Sequence, residues 1–410
     1  MNNNIISDSK FKTNYLKIRY VLAGDELTYN KALLLSEYLV YANNNTKTDQ
    51  RTIQLLDSLF DTSFSINVAL KGDKICFDFN INFVISQYIS AEKYLTNVLR
   101  TYHDFIFNPV VENGSFSSKI VDKNKFNLIN NIKAQYYDKG SYAYLQFNKA
   151  IGAKTPLALN TSGNEVIINN LKAADIMILH EQMISTQPYF KAYVNEKDNK
   201  QIKAFFDNNF LTSEQTPYLQ IVALPDLKEK EMFEYDDISQ GKLYLKIKFA
   251  KAFLKTDFVK YQLINTMLGG SAQSYLFKTV REEHNLCYSI KSMYNHYYNY
   301  LMIAAGIEVS NYEQTITLIK KIVDKIKNFA IDIDYFEAAK INLLDTMKKI
   351  KDEQESLVNY LINREALGLG SSLEEEIKAI EQLTLNDLEA VVAAMTVEFS
   401  YMLGAISHEK

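Results

Sequence analysis

Histidine is a common ligand of catalytic metals, so the histidines of this sequence are considered first. The chain contains five of them, His103, His180, His284, His296 and His408. No two are spaced as ligands of one ion. His180-Glu181 begins like the zinc-binding helix motif H-E-x-x-H, but Ile184 occupies the position of the second histidine. Because a zinc site needs three protein ligands, we predict no metal in this chain and place His180 on a helix surface.

Other catalytic motifs are equally missing from the sequence. It contains no G-x-x-x-x-G-K-[ST], no G-x-G-x-x-G and no G-x-S-x-G, the patterns that bind phosphates or dinucleotides or present a nucleophilic serine. Cys287 with a distant histidine does not define a catalytic dyad, because sequence alone gives no geometry. The sequence therefore offers no basis for nucleotide binding or for a nucleophilic enzyme.

The densest group of chemically useful residues lies in the second half of the chain. Gly269-Gly270 is followed by Arg281 and Tyr288. In a chain with only 13 glycines, a glycine pair indicates a tight helix end or a close backbone approach. Arginine has five donors and tyrosine one, and both can bind a backbone carbonyl or a developing oxyanion. Alternatively, Arg281 is an ordinary surface residue of a helix and Tyr288 a core residue of a strand.

An internal repeat predicts the elements that position these residues. Residues 15–20 (YLKIRY) reappear as residues 244–249 (YLKIKF), and both alternate apolar and polar like a half-buried strand. The same offset relates predicted helices at 31–41 and 260–270. Further matched pairs are 52–61 with 274–283, 63–70 with 288–294, 74–83 with 298–308, the helices near 127–129 and 342–344, the capped helix starts 171–175 and 383–387, and the strands 189–195 and 399–406. We interpret this order as a duplication.

The repeat predicts an α+β fold of two homologous half-domains, each with helices on one face of a mostly antiparallel sheet. The predicted N-terminal half-domain covers residues 1–224 and the C-terminal one residues 241–410. Residues 225–240 are charged and begin with Pro225-Asp226, which suits an exposed linker.

Composition excludes several classes of partner. The chain has 410 residues, a net charge of −4 and no run of 18 apolar residues, so we predict neither nucleic-acid binding nor a membrane span. The N-terminus lacks the pattern of a signal peptide. Two cysteines far apart, Cys76 and Cys287, predict free thiols and a cytoplasmic protein.

The residues around Arg281 resemble a known signature. Gly269-Gly270-Ser271, Leu276-Phe277, Val280-Arg281-Glu282 and residues 286–289 (LCYS) are similar to the C-terminal half-domain of the pitrilysin/insulysin-type zinc peptidases. This family includes the mitochondrial processing peptidase and the core proteins of the cytochrome bc complex. The resemblance spans essentially the whole chain and implies two homologous α+β half-domains joined by a linker.

The first half departs from this family at the metal site. Active members carry H-x-x-E-H, and the best register here is residues 34–38 (LLSEY), so Leu34 and Tyr38 replace both histidines. Only Glu37, at the position of the general base, is retained, and Asp122 is the one carboxylate near the third ligand position. Leucine and tyrosine cannot hold zinc, and without zinc Glu37 has no bound water to activate. Otherwise, Glu37 is a plain helix-surface residue.

The resemblance thus implies a zinc-less subunit that pairs with a zinc-bearing paralogue. In the family, the second half-domain supplies the arginine and tyrosine, so Arg281 and Tyr288 would contact a peptide substrate, with Gly269 and Gly270 forming a wall beside it. Residues 104–114 and Phe116 are similar to a bacterial subfamily linked to elongation factor P modification or peptide processing. Two alternatives stay open: a peptide-binding or scaffold protein without a role in hydrolysis, and an active peptidase with an unconventional metal site.

Overall fold

A computed structural model describes residues 4–41, 43, 46, 48–210, 218–249, 254–370, 372–393 and 395–405 of the protein. The chain forms two compact units. The first unit consists of Met1–Ala134, Leu159–Leu219 and Ile350–Gly368; the second consists of Gln135–Ala158, Gln220–Lys349 and Leu369–Lys410. The predicted halves 1–224 and 241–410 run continuously, whereas each compact unit includes a segment from the other half of the sequence.

The elements of the first half follow the predicted order, with additional short ones. They are β1 (Ile5–Asp8), β2 (Thr13–Ala23), α1 (Glu26–Tyr41), α2 (Asp49–Ser58), β3 (Ser63–Lys71), β4 (Lys74–Val84), α3 (Tyr94–Phe107), β5 (Val111–Glu112), β6 (Ser115–Phe116), α4 (Ser118–Tyr137), α5 (Lys139–Ile151), α6 (Glu165–Asn170), α7 (Ala173–Ile184), β7 (Tyr189–Asn195) and α8 (Asn199–Asn209).

The second half repeats most of these elements. They are β8 (Glu231–Asp236), β9 (Gly241–Lys248), α9 (Phe258–Asn265), β10 (Cys287–Asn295), β11 (Tyr300–Ile307), α10 (Tyr312–Lys327), α11 (Ile333–Ile350), α12 (Gln354–Ala366), α13 (Leu373–Gln382), α14 (Glu389–Val392) and β12 (Thr396–Ala405). Two π-helical segments, Thr266–Gly270 and Leu276–Glu283, lie between α9 and β10.

The two five-stranded sheets have the same topology. Their strand orders are β1-β7-β2-β4-β3 and β8-β12-β9-β11-β10, so each strand of one sheet has a counterpart at the same place in the other. In both sheets the first strand of the order is parallel to its neighbour and the described pairs of the other strands are antiparallel. The predicted α+β fold of two homologous half-domains is confirmed. Strand β8 occupies part of the predicted linker, and its residues alternate between exposed and half-buried along a sheet edge.

The capped helix starts of the repeat also match. The side chain of Asp175 accepts a hydrogen bond from the backbone N–H of Lys172 at 2.8 Å, and that of Asp387 accepts one from Thr384 at 2.8 Å. Such caps satisfy donors at the start of a helix. The same local chemistry therefore begins the helical region that precedes β7 in the first half and β12 in the second.

The main core of the first unit lies between one sheet face and the helices. Leu16, Ile18 and Tyr20 alternate along β2 and pack in one apolar cluster with Leu34 and Tyr38 of α1. Because side chains alternate across a strand, the intervening residues of β2 point to the opposite face.

That opposite face carries a buried ionic cluster and is packed by one helix from the other half of the sequence. The Arg19 guanidinium binds both carboxylate oxygens of Asp78, at 2.6 and 2.7 Å, and the Lys17 ammonium lies 3.0 Å from Asp78. Arg19 also donates to Asn363 of α12 at 2.8 Å. Helix α12, from the second half of the sequence, thus covers the polar face of the first sheet.

The second unit has the reciprocal arrangement. Helix α5, from the first half of the sequence, packs on β9 and β12, where the Phe147 ring stacks on Tyr244 with centroids 5.5 Å apart. The Lys246 and Lys248 ammonium groups bind Glu398 at 2.8 and 2.9 Å. Lys246 and Lys248 stand where the repeat places Lys17 and Arg19, so both sheets keep a basic pair paired with a carboxylate beside the returning helix.

Candidate functional site

Arg281 and Tyr288 are held by two irregular elements of the second unit. Arg281 lies on the π-helical segment Leu276–Glu283, which ends with the His284 N–H bonded to the Thr279 carbonyl at 3.2 Å. Tyr288 lies on edge strand β10, where the pairing with β11 shifts between Cys287 and Ser289. Tyr288 is therefore the extra residue of a β-bulge. Both π-helical turns and bulges are frequent at functional sites, because they redirect individual side chains.

These two side chains line one cleft of about 510 Å³ in the second unit, together with Phe277, Glu308 and Asn311 among others. The Arg281 guanidinium carbon lies 4.6 Å from the centre of the Phe277 ring, within the range of a cation–π contact. Arg281 is otherwise exposed, and Tyr288 is 61% exposed. The alternative in which Tyr288 is a core residue is wrong, because the bulge turns its ring into solvent.

Glu308, which sequence reasoning missed, orients the tyrosine. The Tyr288 hydroxyl donates a hydrogen bond to Glu308 Oε1 at 3.0 Å. This hydrogen bond and the negative charge of Glu308 raise the pKa of Tyr288, so its phenol stays protonated and able to donate. Any other acceptor of this hydroxyl hydrogen bond must displace Glu308 as the partner.

Cys287 adjoins the cleft but is not suited to be a nucleophile. It is 8% exposed, and burial raises the pKa of its thiol to about 11, an effect that the charge of Arg281 only partly opposes. Since the thiolate is the reactive form, Cys287 is a neutral, packed side chain at neutral pH.

The glycine pair lies outside the residues that line this cleft. Neither Gly269 nor Gly270, both described residues, has the positive φ that a glycine helix cap adopts. A Cβ on Gly269 would lie 2.7 Å from the backbone nitrogen of Ser292 and 2.8 Å from Leu276 Cδ1. The pair therefore marks a close approach of the first π-helical segment to β10. Its role as a wall beside a substrate stays a prediction.

The predicted positions of the degenerate zinc motif are closed by packing. Leu34 and Tyr38 are fully buried. The Tyr38 hydroxyl donates to the Val110 carbonyl at 2.6 Å and accepts from the Ser117 N–H at 2.9 Å, and its ring stacks on Phe116 at 4.3 Å. Burial raises the pKa of Tyr38 to about 12. A methyl-bearing core side chain and a fully engaged phenol do not fit zinc, so no catalytic step can be assigned to a metal at this place.

Glu37 and His180 lie near these residues in different settings. Glu37 is half-buried on α1, and burial raises the pKa of its carboxyl. The prediction that His180 lies on a helix surface is wrong: it is 3% exposed and its Nε2 lies 2.8 Å from the Ile106 carbonyl. Burial lowers the pKa of His180, which favours the neutral ring. His408 lies outside the described residues.

Within the described part of the chain, no group of three or more His, Cys, Asp or Glu side chains is arranged to hold a metal ion. None of the helices there is both long and apolar enough to span a bilayer.

Comparisons with known proteins agree with this geometry. Residues 181–343 match the family model described as Peptidase M16 inactive domain. The "Probable inactive metalloprotease YmfF" of Bacillus subtilis (strain 168) is 26% identical over 409 residues, covering 97% of this chain and 94% of that protein. The chain is thus similar to M16-family proteins, among them one named as inactive, and the predicted family resemblance is confirmed.

Solved structures show the same fold. A conserved protein from Enterococcus faecalis V583 superimposes with a TM-score of 0.86 at 21% identity, covering 99% of this chain and 96% of that one. A peptidase M16 inactive domain from Pseudomonas fluorescens gives a TM-score of 0.75 at 16% identity, covering 98% of this chain and 94% of that one.

Proposed function

We propose that this chain is the zinc-less subunit of a heterodimeric metallopeptidase. It would bind a peptide and supply Arg281 and Tyr288 to the active site of a zinc-bearing paralogous partner. The observation that carries the proposal is that both side chains line one exposed cleft at a sheet edge, whereas the former zinc positions are filled by Leu34 and a fully bonded Tyr38.

The edge strand suggests how a peptide would be held. Strand β10 is the last strand of its sheet, so one row of its backbone N–H and C=O groups can pair with a substrate strand. Such pairing gives affinity with little sequence demand. The partner's zinc would supply the activated water. Arg281 would donate to the substrate carbonyl, and Tyr288 would donate after leaving Glu308, so that both stabilise the developing oxyanion.

The test is cleavage of a quenched fluorescent peptide library by this chain, by the zinc-bearing paralogue encoded nearest to it, and by the mixture. We expect activity only in the mixture. Arg281→Ala and Tyr288→Phe should each lower that activity by roughly 100- to 1000-fold, the usual cost of one oxyanion donor. Co-elution of the two subunits should be unchanged, because both side chains are exposed.

The matched control is Tyr137→Phe, which alters a tyrosine that is 79% exposed and outside the cleft. Full activity of the partner alone, or undiminished turnover in both cleft variants, would refute the catalytic contribution. It would instead favour the second candidate, a non-enzymatic peptide-binding or scaffold protein, to which the matched description "inactive domain" also points. A cytoplasmic setting is part of the proposal and accords with the two free thiols, Cys76 and Cys287.

A further inference from the structure

A second, smaller cleft continues along the same edge of the second sheet. It has a volume of about 290 Å³ and is lined by residues of β9, β10 and β11. Ser289 of this cleft follows Tyr288 directly, so the two clefts adjoin at the bulge of β10. A volume of this size accommodates one or two side chains rather than a whole ligand.

The strand register explains why a trough exists here. One cross-strand row consists of Lys242, Gly306 and Ser289. The next row consists of Tyr244, Ala304 and Lys291. In both rows the central strand β11 presents a very small residue between larger neighbours. The floor of the trough therefore follows β11, and its walls are side chains of β9 and β10. The Gln240 side chain lies over Gly306, where an added Cβ would come within 2.8 Å of it, so the open part of the floor is at Ala304.

Helix α5 covers the β9 side of the trough, where the Phe147 ring stacks on Tyr244, and the exposed Lys291 lies on the opposite, β10 side. The helix packs on β9 and β12, and farther along β11 the residues on the same face as Ala304 are Met302 and Tyr300, which belong to the apolar cluster under α5. The residues of β11 thus become smaller away from this cluster, from Tyr300 to Gly306. The trough begins at the edge of this apolar cluster.

The charge of the trough is one-sided. Lys242 and Lys291 line it, and none of its described lining residues carries a carboxylate. The Lys242 ammonium donates a hydrogen bond to Gln240 Oε1 at 2.8 Å. Its effect on the pKa of nearby Asp138 is small, because hydrogen bonds from Ser141 are the chief cause of the lowering of that pKa. Lys291 is exposed and makes no hydrogen bond or ion pair with any described residue.

We infer that this trough selects peptides that carry an acidic side chain to one side of the residue bound at Arg281 and Tyr288. The inference rests on the proposed function. A strand paired with β10 would advance by about 3.3 Å per residue. Lys291 follows Tyr288 by three positions, roughly 10 Å along the strand. A glutamate or aspartate two to four residues from the held carbonyl would then reach the Lys291 ammonium above the small residues of β11.

The test uses the full-length protein and pools of fluorescently labelled nonapeptides in which one position at a time is fixed as Glu or as Gln. Binding is measured by fluorescence anisotropy. We expect the Glu pool to bind about fivefold more tightly than the Gln pool at one position, the upper end for a partly exposed ion pair. Lys291→Gln should abolish this preference, and added salt should weaken it.

The controls separate this inference from the function on which it rests. Lys320→Gln changes an exposed lysine of α10 outside both clefts and should leave the preference intact. Equal binding of Glu and Gln pools at every position, with binding still weakened by Arg281→Ala, would overturn the acidic preference while supporting peptide binding at the cleft. No binding by any pool, or binding indifferent to Arg281→Ala, would overturn both.

Discussion

At the residue scale, the buried charged residues of the first unit allow the most specific prediction about stability. Burial by itself would raise the pKa of Asp78, but the charge and hydrogen bonds of Arg19 outweigh it and hold this pKa at about 2. Pairing with Asp78 likewise raises the pKa of Arg19 against the effect of burial. Burial lowers the pKa of Lys17 despite Asp78, so Arg19 is the principal partner.

These shifts predict acid sensitivity. Because the pKa of Asp78 is lower in the folded chain than its value of about 3.9 in an unfolded one, its contribution is present above pH ~4 and is lost as the pH falls towards 2. At about 1.4 kcal/mol per pKa unit, it amounts to about 3 kcal/mol. The measurement is urea unfolding of the wild type and of Asp78→Asn from pH 7 to pH 2.5.

The Asp78→Asn variant separates the pair from other carboxylates. At pH 7 it should be less stable by about 3–5 kcal/mol, because Arg19 and Lys17 would be left as buried charges without a counter-ion. It should also lose less stability than the wild type between pH 5 and pH 2.5. Parallel acid profiles for the two proteins would show that Asp78 is not paired as described.

Single residues also mark where sequence reasoning succeeds and fails. The grouping of Arg281 with Tyr288 was predicted from the family resemblance, and both side chains line one cleft. The contact of Arg281 with Phe277 has a sequence signal, a spacing of four on a helix, which could have been used. The burial of His180 and the hydrogen bond from Tyr288 to Glu308 have none, because a lone polar residue does not reveal which face of its element meets the core.

At the element scale, the repeat predicted most of the sheets, since alternation over eight or more residues is a strong local signal. It did not predict β1 or β8. The first has four residues, and the second carries three acidic residues in six, which resembles a linker as much as an edge strand. Hydrophobic periodicity also does not predict that the two segments before β10 are π-helical, because this form depends on packing against the strand.

That packing gives a prediction for Gly269. Gly269→Ala should destabilise the protein by about 1–3 kcal/mol, because the new methyl group would lie 2.7 Å from the Ser292 backbone nitrogen and neither element can move freely. Thermal and urea unfolding provide the measurement. Gly370→Ala is the matched control, since a Cβ there meets no atom within 4 Å. Equal stability of the two variants would contradict a close approach and favour the flexible wall.

At the scale of the whole molecule, the sequence does not reveal that α5 packs on the second sheet and α12 on the first. Amphipathic periodicity shows that a helix has a buried face but does not show which sheet receives it. The linear halves therefore look self-sufficient, whereas the polar face of the first sheet is completed by residues 350–368. Arg19 and Lys71 both bind Asn363 there, and Lys191 binds Glu365.

This completion predicts that the first half does not fold alone. A fragment of residues 1–224 should show no cooperative thermal transition by circular dichroism, because the charges around Arg19 and Lys191 would lie on an uncovered face. The same fragment joined to residues 350–368 by a Gly/Ser linker should regain one. A cooperative transition in the unjoined fragment, at the temperature of the joined one, would refute the requirement for α12.

The late position of α12 in the sequence also delays the completion of the first unit during synthesis. Helix α12 ends roughly 150 residues after Leu219, and at about 5–20 residues per second its translation takes on the order of 7–30 s more. Throughout that interval the first sheet has its apolar core but not the cover of its charged face. The nascent first unit therefore stays incomplete until α12 has been synthesised.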